Sequence, residues 1–211
     1  MVASRSPAMT RARRLWLVRH GETEGQSSIR YHGSNDVRLS DVGRAQIRGL
    51  VPLLAGVDFT QVWHSPLQRA AESAALLGEG LSFAPDLLQP DERLREICFG
   101  DAEGMTREEI EAAFPAFWPE YERGLRDAFP GGEPRADFAA RVRAATAEIV
   151  SAAWRGDALL VAHRGTVKHV IGAALGVEDR AHARFGVELG ALSVLCEEGG
   201  AWRLEILGML P

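Results

Sequence analysis

Short apolar runs alternate along the chain with amphipathic segments in which apolar residues recur every three or four positions. The apolar runs predict strands at 14–20, 57–65, 81–83, 157–163, 193–196 and 202–206. The amphipathic segments predict helices at 42–54, 66–78, 106–121, 136–154 and 166–175. Because central strands that are apolar on both faces need cover on both sides, this alternation predicts an α/β fold. We expect a single-domain, doubly wound three-layer sandwich, with a mostly parallel central sheet and helices on both faces.

Two of the predicted helices carry start signals. Ser65 can cap a helix in which Pro66 takes the first helical position and Gln68 completes a capping box. Thr106 with Glu109 forms a second capping box and opens the helix toward residue 121.

Length and composition fit one soluble domain. The chain has 211 residues, of which 46% are hydrophobic and 25% charged, and no apolar run reaches the roughly 18 residues that span a membrane. The first fourteen residues contain four arginines and no acid, and they lack the apolar core of a secretory signal. We therefore expect residues 1–13 to form a disordered arginine-rich tail, followed by one domain over 14–211.

Charge and cysteine content limit the classes of binding partner and the cellular compartment that the sequence favours. Without the four arginines of the first fourteen residues, 20 basic side chains remain against 29 acidic ones, a net charge of −9 that disfavours nucleic acid as a partner. Cys98 and Cys196 form no CxxC motif and no disulfide framework, which favours a reducing, cytoplasmic compartment. Nothing indicates a lipid partner, and a homodimer is the default expectation for an oligomer.

Three predicted strands deliver polar side chains at their carboxyl ends. The first ends in Arg19 and His20, the fourth ends in His163, and the second is followed by Ser65 and, one helical turn on, by Arg69. Functional sites in doubly wound sheets lie beyond the carboxyl ends of the strands. A lone histidine at a strand end is usually structural, but two histidines and two arginines directed to one edge predict a site.

The chemistry of this group favours a phosphoryl ligand over a metal ion. Guanidinium groups bind phosphoryl oxygens through paired hydrogen bonds, and a neutral imidazole is a competent nucleophile toward phosphorus. Two arginines beside the imidazoles would oppose a cation. The leaving oxygen also needs a proton, and Glu96 is the candidate donor.

The chain resembles the histidine phosphatase superfamily, in its phosphoglycerate mutase-like branch. The matching motifs are RHGET at 19–23, HSPLQRA at 64–70, LREICFGDAEG at 94–104, FPGGE at 129–133 and VAHRGT at 161–166. The resemblance implies that His20 becomes phosphohistidine and that Arg19, Arg69 and His163 bind the phosphoryl oxygens. It also implies that Glu96 first protonates the leaving group and then activates water, with no metal or organic cofactor.

Two positions depart from the family pattern. Gln26 stands where asparagine is common, six residues after the nucleophile, and Arg164 follows the second histidine where a small residue is usual. Arg164 could contact the substrate or turn to solvent. Arg30, His32 and Gly33 match a loop that often binds the leaving group, so all five residues are candidate substrate contacts.

Three functions remain open on this resemblance. A phosphatase acting on a small phosphorylated metabolite is favoured, because the segment from Glu96 to His163 is short and 31–43 is similar to the α-ribazole phosphatase-like branch. The alternatives are a phosphoglycerate mutase-type phosphoryl transfer and a non-catalytic member that only binds a phosphate ligand. The presence of all five expected catalytic residues counts against the last.

Overall fold

The computed structural model describes residues 12–25 and 29–211. Within these residues the strands are β1 (Arg13–Arg19), β2 (Phe59–His64), β3 (Leu88–Pro90), β4 (Asp157–Ala162), β5 (Leu192–Glu198) and β6 (Ala201–Met209). The helices are α1 (Asp41–Leu54), α2 (Gln68–Leu81), α3 (Arg107–Ala113), α4 (Phe117–Glu122), α5 (Arg135–Ser151) and α6 (Arg164–Leu175). Short 3₁₀ turns lie at Pro85–Leu87, Glu92–Leu94, Gly100–Ala102 and Asp179–Arg184.

The described strands form one mixed sheet in the order β3-β2-β4-β1-β5-β6. Strands β1 to β4 pair in parallel, whereas β5 and β6 join antiparallel at one side. The predicted α/β class and the mostly parallel sheet are therefore confirmed. In the described part of the chain, no helix is long and apolar enough to cross a membrane.

Strand β4 shows why helices cover both faces of the sheet. All six of its residues are buried, and successive side chains point to opposite faces. Ala158 and Leu160 join a core with α5 and α6, whereas Leu159 and Val161 join a second core with α1 and α2. The result is the three-layer arrangement expected from the sequence.

Two parts of the predicted secondary structure are wrong. Helix α2 begins at Gln68, not at Pro66, because Ser65 Oγ accepts the N–H of Leu67 at 3.3 Å inside the turn and the Gln68 side chain bonds Asp36 instead of closing a capping box. No strand lies at 81–83, since α2 runs to Leu81. The third strand comes later, as β3.

Other boundaries differ by smaller amounts. Strand β1 begins at Arg13, one residue before the expected start of the domain, and residues 1–11 lie outside the described part. The capping box of Thr106 and Glu109 is confirmed, but the helix it opens ends at Ala113 and α4 follows separately. Proline disfavours the helical conformation of the residue before it, and Pro115 stands between the two helices.

The register of the parallel strands aligns their carboxyl ends. Val161 of β4 lies opposite Val18 of β1 and opposite His64 of β2. The residues that follow these positions therefore leave the sheet side by side.

Candidate active site

An open cavity of about 890 Å³ lies at this edge of the sheet. Arg19, His20, Arg69 and Glu96 are among the residues that line it. His163 is not: it lies behind this wall and is only 1% exposed. The rings of His163 and His20 are 5.2 Å apart, centroid to centroid. The structure thus brings the five predicted catalytic residues into one region.

His20 is oriented with one ring nitrogen free. Its Nδ1 lies 2.7 Å from the carbonyl oxygen of Gly21, and since a carbonyl can only accept, Nδ1 carries the proton. Nε2 therefore keeps its lone pair. The ring is 4% exposed, and burial, followed by the charges of Arg69 and Arg19, holds its pKa well below the ordinary 6.5. His20 is a neutral imidazole at neutral pH, as a nucleophile must be.

His163 is held by a chain of hydrogen bonds to the second strand and its helix. Its Nδ1 accepts from Arg69 Nε at 3.2 Å, so its other nitrogen, Nε2, donates to Ser65 Oγ at 2.7 Å. Burial, then Arg69 and His20, lower the pKa of His163 well below 6.5. The sequence placed Ser65 at this edge without a role, and the structure shows that it orients His163.

Arg69 is almost fully buried and braces the site. Besides His163, it donates to the carbonyls of Asn35 at 2.7 Å and Gly33 at 2.6 Å. Burial lowers its pKa to about 10, so it stays charged at neutral pH. The guanidinium thereby links the loop after β1 to α2 and β4.

Arg19 has one hydrogen-bonding group without a partner. Its Nη1 donates to the carbonyl of Val187 at 2.9 Å, while its buried Nε has no partner among the described residues. Burial lowers its pKa to about 10, which leaves it charged. An unsatisfied buried donor costs about 1–3 kcal/mol, so an anion that accepts from this Nε would relieve a penalty already present.

Glu96 is positioned by backbone amides. Its Oε1 accepts from Ile97 N at 3.1 Å and its Oε2 from Gly165 N at 2.9 Å, in the first turn of α6. A Cβ at Gly165 would lie 2.4 Å from Oε1, so the carboxyl approaches this closely only because position 165 lacks a side chain.

The predicted substrate contacts fall into different environments. His32 and Gly33 line the cavity, but the Gly33 carbonyl is taken by Arg69. Arg30 also lines the cavity, with its Nη1 donating to the carbonyl of Gly104 and to Glu109. Arg164 is exposed on the cavity wall. Gln26 lies outside the described residues.

Several lining residues were missed by sequence reasoning. They include Gln46, Arg107, Lys168, Glu188 and Leu210. Most come from parts of the chain far from any motif. Lys168 alone had a detectable signal, because it follows Arg164 by four positions and so shares its face of α6.

Candidate metal ligands in the described part of the chain lie away from this cavity. Donor atoms of His169, Asp179 and His182 approach within 4.8 Å of one another. Arg143 Nη2 bonds both carboxylate oxygens of Asp179, at 2.9 and 2.8 Å. None of these four residues lines the cavity.

The two buried histidines predict a loss of stability in acid. Below about pH 6.5 the unfolded chain binds protons at His20 and His163 while the folded chain does not, because both folded pKa values are depressed. The free energy of unfolding should then fall by up to about 1.4 kcal/mol per pH unit for each residue, whereas above pH 6.5 neither contributes.

Urea unfolding of wild type and His20→Asn at pH 7.5 and 5.5 measures this difference. The variant is expected to lose less stability between the two pH values. An identical loss in both proteins would contradict the depressed pKa of His20.

Comparison with known proteins supports one family. The family described as the histidine phosphatase superfamily (branch 1) matches residues 15–209. A glucosyl-3-phosphoglycerate phosphatase of Mycobacterium tuberculosis is 35% identical over 173 residues, which cover 78% of this chain and 76% of the relative. An adenosylcobalamin/α-ribazole phosphatase of Salmonella typhimurium is 31% identical over 191 residues, covering 87% of this chain and 91% of the relative.

Solved structures agree with these sequence matches. The crystal structure of the α-ribazole phosphatase from Shigella flexneri has a TM-score of 0.83 and 26% sequence identity to this chain. The likeness covers 93% of this chain and 96% of that one. The likeness therefore extends over most of the three-layer fold.

Proposed function

This chain belongs to branch 1 of the histidine phosphatase superfamily and is a phosphatase of small phosphomonoesters, and we propose that it acts through a phosphohistidine formed on His20 without a metal ion. The observation that carries the proposal is the state of His20. It is buried and neutral, and its Nδ1–H is bonded to Gly21, which leaves Nε2 as the nucleophile at a cavity lined by two arginines.

In the first step His20 Nε2 attacks phosphorus and the ester P–O bond breaks. Arg19 and Arg69 bind the phosphoryl oxygens and stabilise the charge spread over them, which is the largest contribution to catalysis in phosphoryl transfer. The unpartnered Nε of Arg19 is one donor for these oxygens. The fixed positive charge of the two guanidiniums supports a reaction that needs no metal.

Glu96 handles the proton in both steps. In its protonated form it donates a proton to the leaving oxygen, which departs as an alcohol. The resulting carboxylate then takes a proton from a water molecule, and that water attacks phosphorus and breaks the P–Nε2 bond. Inorganic phosphate leaves and His20 returns to its starting state.

His163 and Ser65 support the site from behind. Because His163 Nε2 donates to Ser65, the proton on this ring is fixed and Nδ1 remains the acceptor for Arg69. We propose that His163 positions Arg69 and completes the phosphoryl site beside His20.

The free cysteines, Cys98 and Cys196, are consistent with a cytoplasmic protein.

Hydrolysis of para-nitrophenyl phosphate in excess EDTA tests the proposal. Turnover should be unchanged by the chelator, since arginine supplies the positive charge that a metal would otherwise provide. Loss of turnover in EDTA, restored by adding back a divalent metal, would contradict the mechanism.

The same assay separates a phosphatase from a mutase. A phosphatase releases one inorganic phosphate for each ester consumed, whereas a mutase returns the phosphoryl group to an isomer of the substrate. With 3-phosphoglycerate as substrate, we expect free phosphate and glycerate. Formation of 2-phosphoglycerate without free phosphate would favour the mutase.

A further inference from the structure

The cavity wall carries more positive charge than the phosphoryl site requires. Six of its lining residues are cationic and three are acidic, although the chain as a whole has a net charge of −5. The cationic residues are Arg19, Arg30, Arg69, Arg107, Arg164 and Lys168, and the acidic residues are Glu96, Glu108 and Glu188.

Four of these cations have assigned partners. Arg19 and Arg69 belong to the phosphoryl site described above. Arg30 pairs with Glu109 at 2.8 Å, and Arg107 pairs with Glu111 at 2.7 Å. Their charges are therefore accounted for by the phosphoryl group or by carboxylates of the protein.

Arg164 and Lys168 are different. The Arg164 side chain has no hydrogen bond or ion pair with any residue of the described ranges, and Lys168 Nζ donates to the carbonyl of Ala183 at 3.2 Å, a neutral partner. The two stand four residues apart on α6, where like charges repel and destabilise the helix.

The neighbouring carboxylates do not neutralise the positive charges of Arg164 and Lys168. Burial, then the charges of Arg164 and Arg19, lower the pKa of half-buried Lys168, while Glu188 and Glu96 act in the opposite direction. Glu96 is bonded to two amides, and Glu188 forms no ion pair with either cation among the described residues. A further negative charge at this wall would relieve the repulsion.

We propose that Arg164 and Lys168 form a second anion site, which binds a carboxylate or phosphate group on the leaving group of the substrate. The inference rests on the proposed phosphatase function and narrows it to phosphomonoesters whose leaving group is itself anionic. Arg164, on the first turn of α6 beside Gly165, stands next to the segment that holds Glu96. An anion bound there lies on the leaving-group side of the site, since Glu96 protonates the leaving oxygen.

A matched pair of esters tests the site. 3-Phosphoglycerate and glycerol 3-phosphate differ in a carboxylate replacing a hydroxymethyl group. Wild type should show a higher kcat/KM for 3-phosphoglycerate, and Arg164→Ala should lower that preference by roughly tenfold, as expected for loss of a charged hydrogen bond. The double variant Arg164→Ala/Lys168→Met should lower it further, chiefly through KM, because the contact is remote from the transferred phosphoryl group.

Two further variants separate charge from structure. Arg164→Lys keeps the positive charge and should retain most of the preference for 3-phosphoglycerate. That result is not expected if Arg164 acts only through the packing of its side chain. Arg155→Ala removes an exposed arginine just before β4, at the opposite edge of the sheet, and should leave the preference unchanged. Comparing fructose 1,6-bisphosphate with fructose 6-phosphate shows whether a phosphate is accepted in place of the carboxylate.

The outcomes distinguish this inference from the proposed function. Two results would overturn the anion site and leave the phosphatase standing. Either wild type hydrolyses both esters without preferring 3-phosphoglycerate, or the preference in both Arg164→Ala and the double variant equals that of wild type. If wild type hydrolyses no phosphomonoester at all, the phosphatase proposal and the anion site fall together.

Discussion

His20→Ala is expected to lower kcat for para-nitrophenyl phosphate by roughly 10⁴-fold or more, because removal of a nucleophile leaves only the binding contribution of the remaining site. Arg19 and Arg69 would still bind the ester, so KM should change much less than kcat. The His20 imidazole is buried and bonded to Gly21. Of the described histidines, His20 and His32 line the cavity, and only His20 directly follows β1. Water would have to replace it at phosphorus.

Trapping of the intermediate distinguishes a nucleophile from a binding residue. Wild type quenched during turnover should carry a phosphoryl group that is labile in acid and stable in base, as expected for phosphohistidine, and His20→Ala should carry none. His182→Asn provides a matched control, since His182 is also buried but does not line the cavity. Turnover in His20→Ala within tenfold of wild type would rule out His20 as the nucleophile.

Arg69→Ala is expected to lower kcat/KM by roughly 10³-fold, equivalent to about 4 kcal/mol of transition-state stabilisation. In the proposed mechanism its guanidinium binds the transferring oxygens, and in the structure it holds His163 and the carbonyls of Gly33 and Asn35. Truncation leaves the buried acceptors of Gly33 and His163 unpaired at about 1–3 kcal/mol each, so the free energy of unfolding should fall as well. One residue thus affects both catalysis and stability.

Paired measurements of kinetics and thermal unfolding test this dual role. Arg69→Lys keeps the charge but loses the planar fork, so we expect it to recover only part of the activity and little of the stability. Arg48→Ala, which removes an exposed arginine of α1, serves as the control and should change neither. Full stability in Arg69→Ala would contradict the bracing role, and near-normal kcat/KM would contradict the phosphoryl contact.

The sequence by itself determined the layer architecture and the position of the two candidate catalytic histidines. From Ala158 to Ala162 strand β4 is apolar on both faces, so both faces of the sheet must be covered there. Since the carboxyl ends of parallel strands meet at one edge, residues 19–20 and 163 had to emerge together, and His20 and His163 could be placed before any coordinates. Local signals also sufficed for the capping box at Thr106, because its two hydrogen bonds lie within four residues.

Only the tertiary structure decided what depends on contacts between distant segments. The third strand lies at Leu88–Pro90 because pairing with β2 overrides the weak local preference at 81–83. The carbonyls that hold Arg69 lie 36 and 34 residues before it, and no pattern in the chain marks them. Likewise, the packing of remote segments brings Glu96 against Gly165, and only the fold shows that the face of α6 with Arg164 and Lys168 lines the cavity. Periodicity and capping report local geometry, whereas hydrogen bonds between remote segments and unbalanced charge become visible only when the chain is folded.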